Sequence, residues 1–137
     1  MKKRNTISKI MTENLKTVNH TNTVEEVDVI IKDHGINHFP VVSGDKLIDM
    51  ISKTDIEQIS FIYDFNGDSA NTEIFPGLKI EQIMTKNVKS VQANDTIQEA
   101  AKILSENEFH ALPVLENERI VGIVTTTDMM KYLVEEF

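Results

Sequence analysis

The sequence has no cysteine, only three prolines and five glycines among its 137 residues, and few aromatic side chains. Without cysteine, neither a disulfide framework nor a thiolate metal site can form. No apolar run approaches the roughly 20 residues of a membrane-spanning helix. The basic start at Met1–Asn5 leads into no apolar stretch of signal-peptide length. We therefore expect a cytoplasmic protein without a membrane segment.

Positive charge is also scarce. The chain has 14 Lys and Arg residues against 22 Asp and Glu residues, so its formal net charge is -8. Proteins that bind nucleic acid without sequence preference neutralise phosphates with Lys and Arg. The charge therefore argues against a nucleic-acid partner and leaves room for one small anionic ligand in a locally basic site.

What the sequence does contain is an internal repeat. Residues 7–56 align with residues 80–129 without a gap, and 14 of the 50 pairs are identical. A fixed offset defines the folding unit before any secondary structure is considered. One copy of about 50 residues lies near the lower limit for an independent core. We therefore expect the two repeats to share one core and to pack as a pseudo-two-fold pair.

Each repeat has the pattern of a helical turn followed by a β-α-β-β-α unit, which makes the fold class α+β. Thr23 and Thr96 are followed three residues later by Glu26 and Glu99, which is the capping-box pattern of a helix start. Gly35 is a candidate left-handed helix end. Asn107 is a candidate helix end in the second copy.

Two hairpins follow these helices, with Gly44 and Asn117 at equivalent turn positions where positive φ is tolerated. The strand pairs are His38–Val42 with Lys46–Ser52, and Ala111–Leu115 with Arg119–Thr125. Closing helices are predicted from about 53 to 63 and from about 126 to 135. The division along the chain is 1–63 for the first repeat, 64–79 for a linker and 80–137 for the second repeat. The linker is either a plain tether or a segment that covers a cleft or a partner surface.

Each repeat ends in a Ser/Thr-x-x-Asp motif, Ser52–Asp55 in the first copy and Thr125–Asp128 in the second. The motif follows a Met-Thr start, a Thr-capped helix and an apolar-Pro-Val strand. In this combination the chain resembles a stand-alone cystathionine-β-synthase (CBS) domain pair, also called a Bateman module. The resemblance covers nearly the whole chain apart from the linker and the ends.

The resemblance implies a regulatory binding module and not an enzyme. CBS pairs bind adenosine-containing ligands, such as AMP, ADP, ATP or S-adenosylmethionine, in clefts between the two copies, and no cofactor is required. Occupancy would be relayed to a regulated enzyme or transporter on another chain. The family also implies a homodimer, to which the last helix would contribute its apolar residues Met129, Met130, Tyr132, Leu133 and Val134.

The resemblance also assigns roles to individual residues. The ribose hydroxyls would be held by Ser52 and Asp55 in one copy and by Thr125 and Asp128 in the other. Adenine would lie against residues beside the first strand and the Pro-Val strand of each copy, which are Thr17, Val18, Phe39 and Pro40, and Ser90, Val91, Leu112 and Pro113. Phosphate contacts would come from His38, Lys53 and His110.

Physical chemistry supports the ribose role and also a simpler alternative. A carboxylate can accept two hydrogen bonds from a ribose diol. The same Ser/Thr and Asp residues fit an ordinary helix N-cap, which stabilises a helix by roughly 1 kcal/mol without any ligand. His38 and His110 are likewise either phosphate contacts or polar residues at a strand edge.

The two copies differ at one position that bears on the site. The family usually has glycine where the last strand approaches the ligand, and the chain has Gly122 in the second copy but Asp49 in the first. A carboxylate there would narrow the first site or repel phosphate. We therefore expect the better site at Thr125 and Asp128.

Two other function classes compete with the binding module. A homodimeric interaction scaffold, with its clefts filled by its own side chains, remains the alternative. An enzyme is disfavoured because the sequence has no Gly-rich phosphate loop and no nucleophile elbow. Its four scattered histidines show no pattern of three or four metal ligands, so no metal site is expected.

Overall fold

The structure is a computed structural model that describes residues 5–58, 78–82 and 88–137. The first repeat contains β1 (Val18–Asn19), α1 (Val24–His34), β2 (His38–Ser43), β3 (Lys46–Ser52) and α2, which is described over 53–58. The second repeat contains β4 (Val91–Gln92), α3 (Ile97–Glu106), β5 (Ala111–Glu116), β6 (Arg119–Thr125) and α4 (Thr126–Glu136). Short 3-10 turns lie at Ile7–Lys9 and Ile80–Gln82. The predicted β-α-β-β-α order is confirmed for both copies.

The two repeats form strand pairs in the same register. In the first, β1 runs parallel to β2 with Val18 opposite Val41, and β2 runs antiparallel to β3. In the second, β4 runs parallel to β5 with Val91 opposite Val114, and β5 runs antiparallel to β6. The register of each hairpin shifts at the same place, directly after Val41 and Val114. The sequence repeat is therefore also a repeat of strand register.

The helices α1 and α3 begin at the predicted capping boxes. The Thr23 hydroxyl accepts the backbone N–H of Glu26 at 3.1 Å, and the Glu26 carboxylate accepts the backbone N–H of Thr23 at 3.0 Å. Thr96 and Glu99 make the same two bonds. The bond from the Thr23 backbone, assisted by the Thr23 hydroxyl, lowers the pKa of Glu26 below its usual value. Its contribution to helix stability is thus present at neutral pH and is lost as the pH falls through the lowered pKa.

The predicted helix ends are also found, by two different devices. Gly35 ends α1 in the left-handed conformation with φ 61°. Asn107 ends α3 in an extended conformation, and its side-chain amide donates to the Ile103 carbonyl at 2.7 Å. In the hairpin turns Gly44 and Asn117 have the predicted positive φ, and Glu118 adopts it as well.

The described residues form two compact units, each with its own core. The second-repeat unit consists of residues 5–15 and 89–137, and the first-repeat unit consists of 16–58, 78–82 and Val88. Ile7 is fully buried in the core of the second-repeat unit, and Ile80 is fully buried in that of the first-repeat unit. Within the described residues the buried apolar side chains thus fall into one cluster per unit, where the sequence predicted a single core. Each core is completed by the 3-10 turn that begins the other repeat in the sequence.

Equivalent hydrogen bonds hold the two exchanged turns. The Ile7 amide donates to the Asp95 carbonyl at 2.9 Å, and the Ile80 amide donates to the Asn22 carbonyl at 3.0 Å. The compact units thus divide the chain after Leu15 and after Val88, whereas the repeats follow each other along the chain. The predicted 64–79 linker lies almost entirely outside the described residues.

The last helix, α4, divides its apolar residues between core and surface. Met129 and Tyr132 are buried in the core of the second-repeat unit, so the prediction that they form a surface for a partner is wrong. Met130, Val134 and Phe137 are 62%, 77% and 95% exposed. Their spacing of four and three residues places them on one side of the helix. Within the described ranges, no helix has both the length and the apolar composition needed to cross a membrane.

Candidate functional site

The Thr125–Asp128 pair lies where β6 ends and α4 begins. The Thr125 hydroxyl accepts the Asp128 backbone N–H at 3.0 Å, and the Asp128 carboxylate accepts the Thr125 backbone N–H at 3.0 Å. Ser52 and Asp55 make the same reciprocal bonds between β3 and α2, at 3.0 and 3.1 Å. Both motifs therefore act as helix caps. The capping bonds use only part of each carboxylate, because a carboxylate has about four lone-pair sites.

A third residue, which the sequence reasoning did not assign to the site, also contacts Asp128. The Thr12 hydroxyl lies 3.2 Å from Oδ1 and 3.3 Å from Oδ2 of Asp128, although the two residues are 116 positions apart. Backbone bonds with Ile123 in both directions, at 2.7 and 2.9 Å, fix Thr12 beside β6. The sequence feature that could have pointed to Thr12 as a site residue is the Met-Thr pair, which is identical in both copies. Its counterpart Thr85 lies outside the described residues.

Gly122 provides the space for this crossing segment. A Cβ atom on Gly122 would lie 2.6 Å from the Met11 sulfur and 3.1 Å from the Thr12 carbonyl oxygen. The glycine was expected to leave room for a ligand, but the atoms that approach it belong to Met11 and Thr12. Asp49, the counterpart of Gly122, is 5% exposed, and its carboxylate accepts the Met50 backbone N–H at 2.8 Å.

The register brings the predicted adenine and ribose residues to one edge of each group of strands. Because β4 and β5 are parallel and β6 is antiparallel to β5, the starts of β4 and β5 lie at the same edge as the end of β6. We call the edge at Thr125 and its counterpart at Ser52 the ribose-motif edges. The residues near the Thr125 edge are Ser90, Val91, Leu112 and Pro113, and those near the Ser52 edge are Thr17, Val18, Phe39 and Pro40.

Side-chain direction separates these residues into two classes. Successive side chains of a strand point to opposite faces. Four of the eight side chains belong to the cores of their units, so a ligand can reach only their backbone; they are Val18, Phe39, Val91 and Leu112. Of the other four residues, Thr17 is exposed and Ser90 is half-buried, whereas Pro40 and Pro113 are buried. Thr17 and Ser90 are thus the accessible side chains of the set.

The predicted phosphate contacts lie at the same edges. His38 pairs with Ser52 across the hairpin, and Lys53 follows Ser52 directly. The Lys53 ammonium is 3.7 Å from the Glu57 carboxylate, so any phosphate there would share this cation. His110 precedes β5 and is exposed, and its carbonyl accepts the Thr126 backbone N–H at 3.0 Å. The structure places all three near a ribose motif, and their role toward phosphate remains a prediction.

A cavity of about 430 Å³ in the second-repeat unit lies at the opposite edge from Thr125. It is lined by residues at and after the ends of β4 and β5, in the hairpin turn and in the 3-10 turn at Ile7–Lys9, namely Gln92, Ala93, Asn94, Leu115, Glu116, Asn117 and Ser8. In the first-repeat unit the counterparts of Ala93 and Ser8 are His20 and Glu81, whose side chains bond at 2.7 Å. The cavity does not coincide with the ribose motif. In residues 5–58, 78–82 and 88–137 no three His, Asp or Glu side chains converge as metal ligands would.

Comparison with known proteins agrees with this geometry. The sequence-family model of the CBS domain matches residues 7–60 and 80–135. The chain belongs to the CBS domain family. The resemblance drawn from the motifs is thus confirmed, together with the α+β fold of two tandem CBS repeats.

Individual relatives of this CBS domain pair differ in length. It is 30% identical over 133 residues to a homoserine O-acetyltransferase of Methanohalobium evestigatum, and the match covers 96% of the chain but 24% of that relative. The structure of protein MJ1225 from Methanocaldococcus jannaschii superposes with a TM-score of 0.82 and 26% identity, over 97% of the chain and 49% of that protein. The chain spans less than half the length of both.

A second similar structure matches along nearly its whole length. It is the CBS domain pair of protein MJ0100 in complex with 5′-methylthioadenosine and S-adenosyl-L-methionine. The TM-score is 0.73 and the identity 26%, over 96% of the chain and 98% of that structure.

Proposed function

We propose that this CBS domain pair is a regulatory module that binds an adenosine-containing ligand and relays its occupancy to a partner protein. The observation that carries the proposal is the recurrence of one arrangement in both units. In each, a hydroxyl and a carboxylate lie at a strand-to-helix junction, at the edge where the predicted adenine residues begin their strands. Helix capping alone would require the hydroxyl and the carboxylate. It would not require the predicted adenine residues to lie at the same edge of the strands.

The chemistry of the ribose motif suits a nucleoside. A carboxylate fixed by its own backbone bond presents its remaining lone pairs to a cis-diol, and a hydroxyl beside it can donate or accept. The helix N-terminus next to it favours a negatively charged group. S-adenosylmethionine, 5′-methylthioadenosine, AMP, ADP and ATP all carry the diol, and the complex of the MJ0100 CBS domain pair favours the first two.

The two motifs differ in solvent exposure, which supports a ranking of the two sites. Asp128 is half-buried and Asp55 is exposed. Hydrogen bonds are stronger where water is partly excluded. We therefore assign the tighter ribose contact to Thr125 and Asp128.

A titration of the purified protein tests the proposal. Isothermal titration calorimetry with S-adenosylmethionine, 5′-methylthioadenosine, AMP, ADP and ATP should give saturable binding by at least one of them. Adenine and ribose-5-phosphate, offered separately, should bind much more weakly, since each lacks half of the recognised group. No heat of binding from any of the five at millimolar concentration would refute an adenosine-binding function.

We also propose that the chain forms a homodimer through the exposed side of α4. Met130, Val134 and Phe137 are spaced four and three residues apart and form an exposed apolar stripe. Exposed apolar patches of this kind mark interaction sites. The partner that receives the ligand signal is proposed to be an enzyme or transporter on another chain.

The Val134→Asp variant tests the dimer. A buried aspartate without a partner carries a high desolvation cost, so the variant should run as a monomer of 15.6 kDa by light scattering while the wild type shows twice that mass. Val29→Asp is a matched control, because Val29 is 53% exposed on α1 and should leave the dimer intact. A wild-type monomer at micromolar concentration, or equal dissociation in both variants, would rule out this interface.

A further inference from the structure

We propose that the Thr12 hydroxyl is a built-in competitor for the Asp128 carboxylate, which a ribose diol must displace when it binds. This inference rests on the proposed function and adds a residue from outside the second repeat to its site. Thr12 would then set the affinity of the ligand and respond to its presence.

The geometry of the hydroxyl is that of a shared hydrogen bond. Thr12 Oγ1 lies almost equally far from the two oxygens of Asp128, at 3.2 and 3.3 Å. A single hydroxyl proton therefore faces both oxygens, which is the place where the two hydroxyls of a cis-diol would donate. Asp128 Oδ2 already accepts the Thr125 backbone N–H at 3.0 Å. A diol that donates to both oxygens would need the position that Thr12 Oγ1 holds, so we infer that Thr12 yields.

The backbone around Thr12 explains how its displacement would be felt. Thr12 and Ile123 exchange two backbone hydrogen bonds, and the Met11 side chain lies against Gly122. Thr12 itself is exposed. The hydrogen bond from the Thr12 hydroxyl to Asp128 thus supports the two backbone bonds between Thr12 and Ile123. Losing the hydroxyl bond should make these backbone bonds open more often.

The test compares Thr12→Val, which keeps the shape but removes the hydroxyl, with Thr12→Ser, which keeps the hydroxyl. A hydrogen bond of ordinary net strength corresponds to roughly a two- to tenfold change in an equilibrium constant. Thr12→Val should therefore bind S-adenosylmethionine or AMP about two- to tenfold more tightly than the wild type. Thr12→Ser should bind like the wild type. If Thr12→Val binds equally or more weakly, Thr12 is not a competitor.

A second measurement does not need a ligand. Amide hydrogen exchange of Thr12 and Ile123, followed by NMR, should be about two- to tenfold faster in ligand-free Thr12→Val than in Thr12→Ser. Unchanged exchange would overturn the inference whether or not any ligand binds. Faster exchange combined with no ligand binding to any variant would refute the proposed function and still support the hydrogen bond between Thr12 and Asp128.

Discussion

Replacing Asp128 with alanine is expected to weaken binding of the adenosine ligand by about ten- to a hundredfold. Hydrogen bonds to charged groups contribute roughly 1.5–3 kcal/mol, and each 1.4 kcal/mol corresponds to a factor of ten in affinity. Asp128 is half-buried and oriented by the Thr125 backbone, so its loss removes a prepared acceptor. Asp55→Ala should have a smaller effect, because Asp55 is exposed.

The alanine variant also loses a helix cap, so the experiment needs a control with the same structural defect. Glu99→Ala removes the acidic half of the capping box of α3, which lies outside the ribose motif. Both variants should lose up to about 1 kcal/mol of stability, but only Asp128→Ala should lose affinity in calorimetry. Equal affinity in Asp128→Ala and Glu99→Ala would mean that Asp128 is a cap and nothing more.

Features that depend on neighbours in the sequence were predicted well. The capping boxes at Thr23 and Thr96 need only a residue three positions away, and the structure contains both. The turns at Gly44 and Asn117 depend on which residues tolerate positive φ, and both adopt it. The resemblance in turn named the edge residues, because its motifs recur at the same offset in both copies.

Features that depend on distant contacts were missed. The resemblance placed Met129 and Tyr132 among the residues of a partner surface, but it did not show that these two face the core of their own unit. No local pattern reveals that Thr12 meets Asp128, since the contact arises only when the start of the first repeat pairs with β6. Gly122 was interpreted as leaving space for a ligand, whereas the structure shows that it leaves space for Met11 and Thr12.

These incorrect predictions have one physical origin, which also changes which residues belong to the site. A repeat in sequence predicts two equal halves, whereas each compact unit is completed by a turn from the other half of the chain. The ribose motif of the second repeat is therefore contacted by Thr12, a residue near the start of the first repeat. Substitutions in the N-terminal segment should affect the second-repeat site, a coupling that a division into consecutive domains would not anticipate.

The Ile7→Ala substitution should test that exchange, and we expect it to lower the free energy of unfolding by about 2–5 kcal/mol. Ile7 is fully buried, and its amide is bonded to the Asp95 carbonyl. Truncation leaves a cavity in the core of the second-repeat unit. Amide exchange of Val114 and Val124 should therefore accelerate far more than that of Val41, which belongs to the first-repeat unit.

Two comparisons make this result specific to the exchanged turn. Ile80→Ala should produce the reverse pattern, with Val41 accelerated most, because Ile80 completes the core of the first-repeat unit. Val29→Ala, on the exposed side of α1, should change stability by less than about 0.5 kcal/mol. If Ile7→Ala instead loosened mainly the first-repeat unit, its neighbour in sequence, then the turns would not be exchanged. The expected effect of N-terminal substitutions on the site at Asp128 would then have no structural basis.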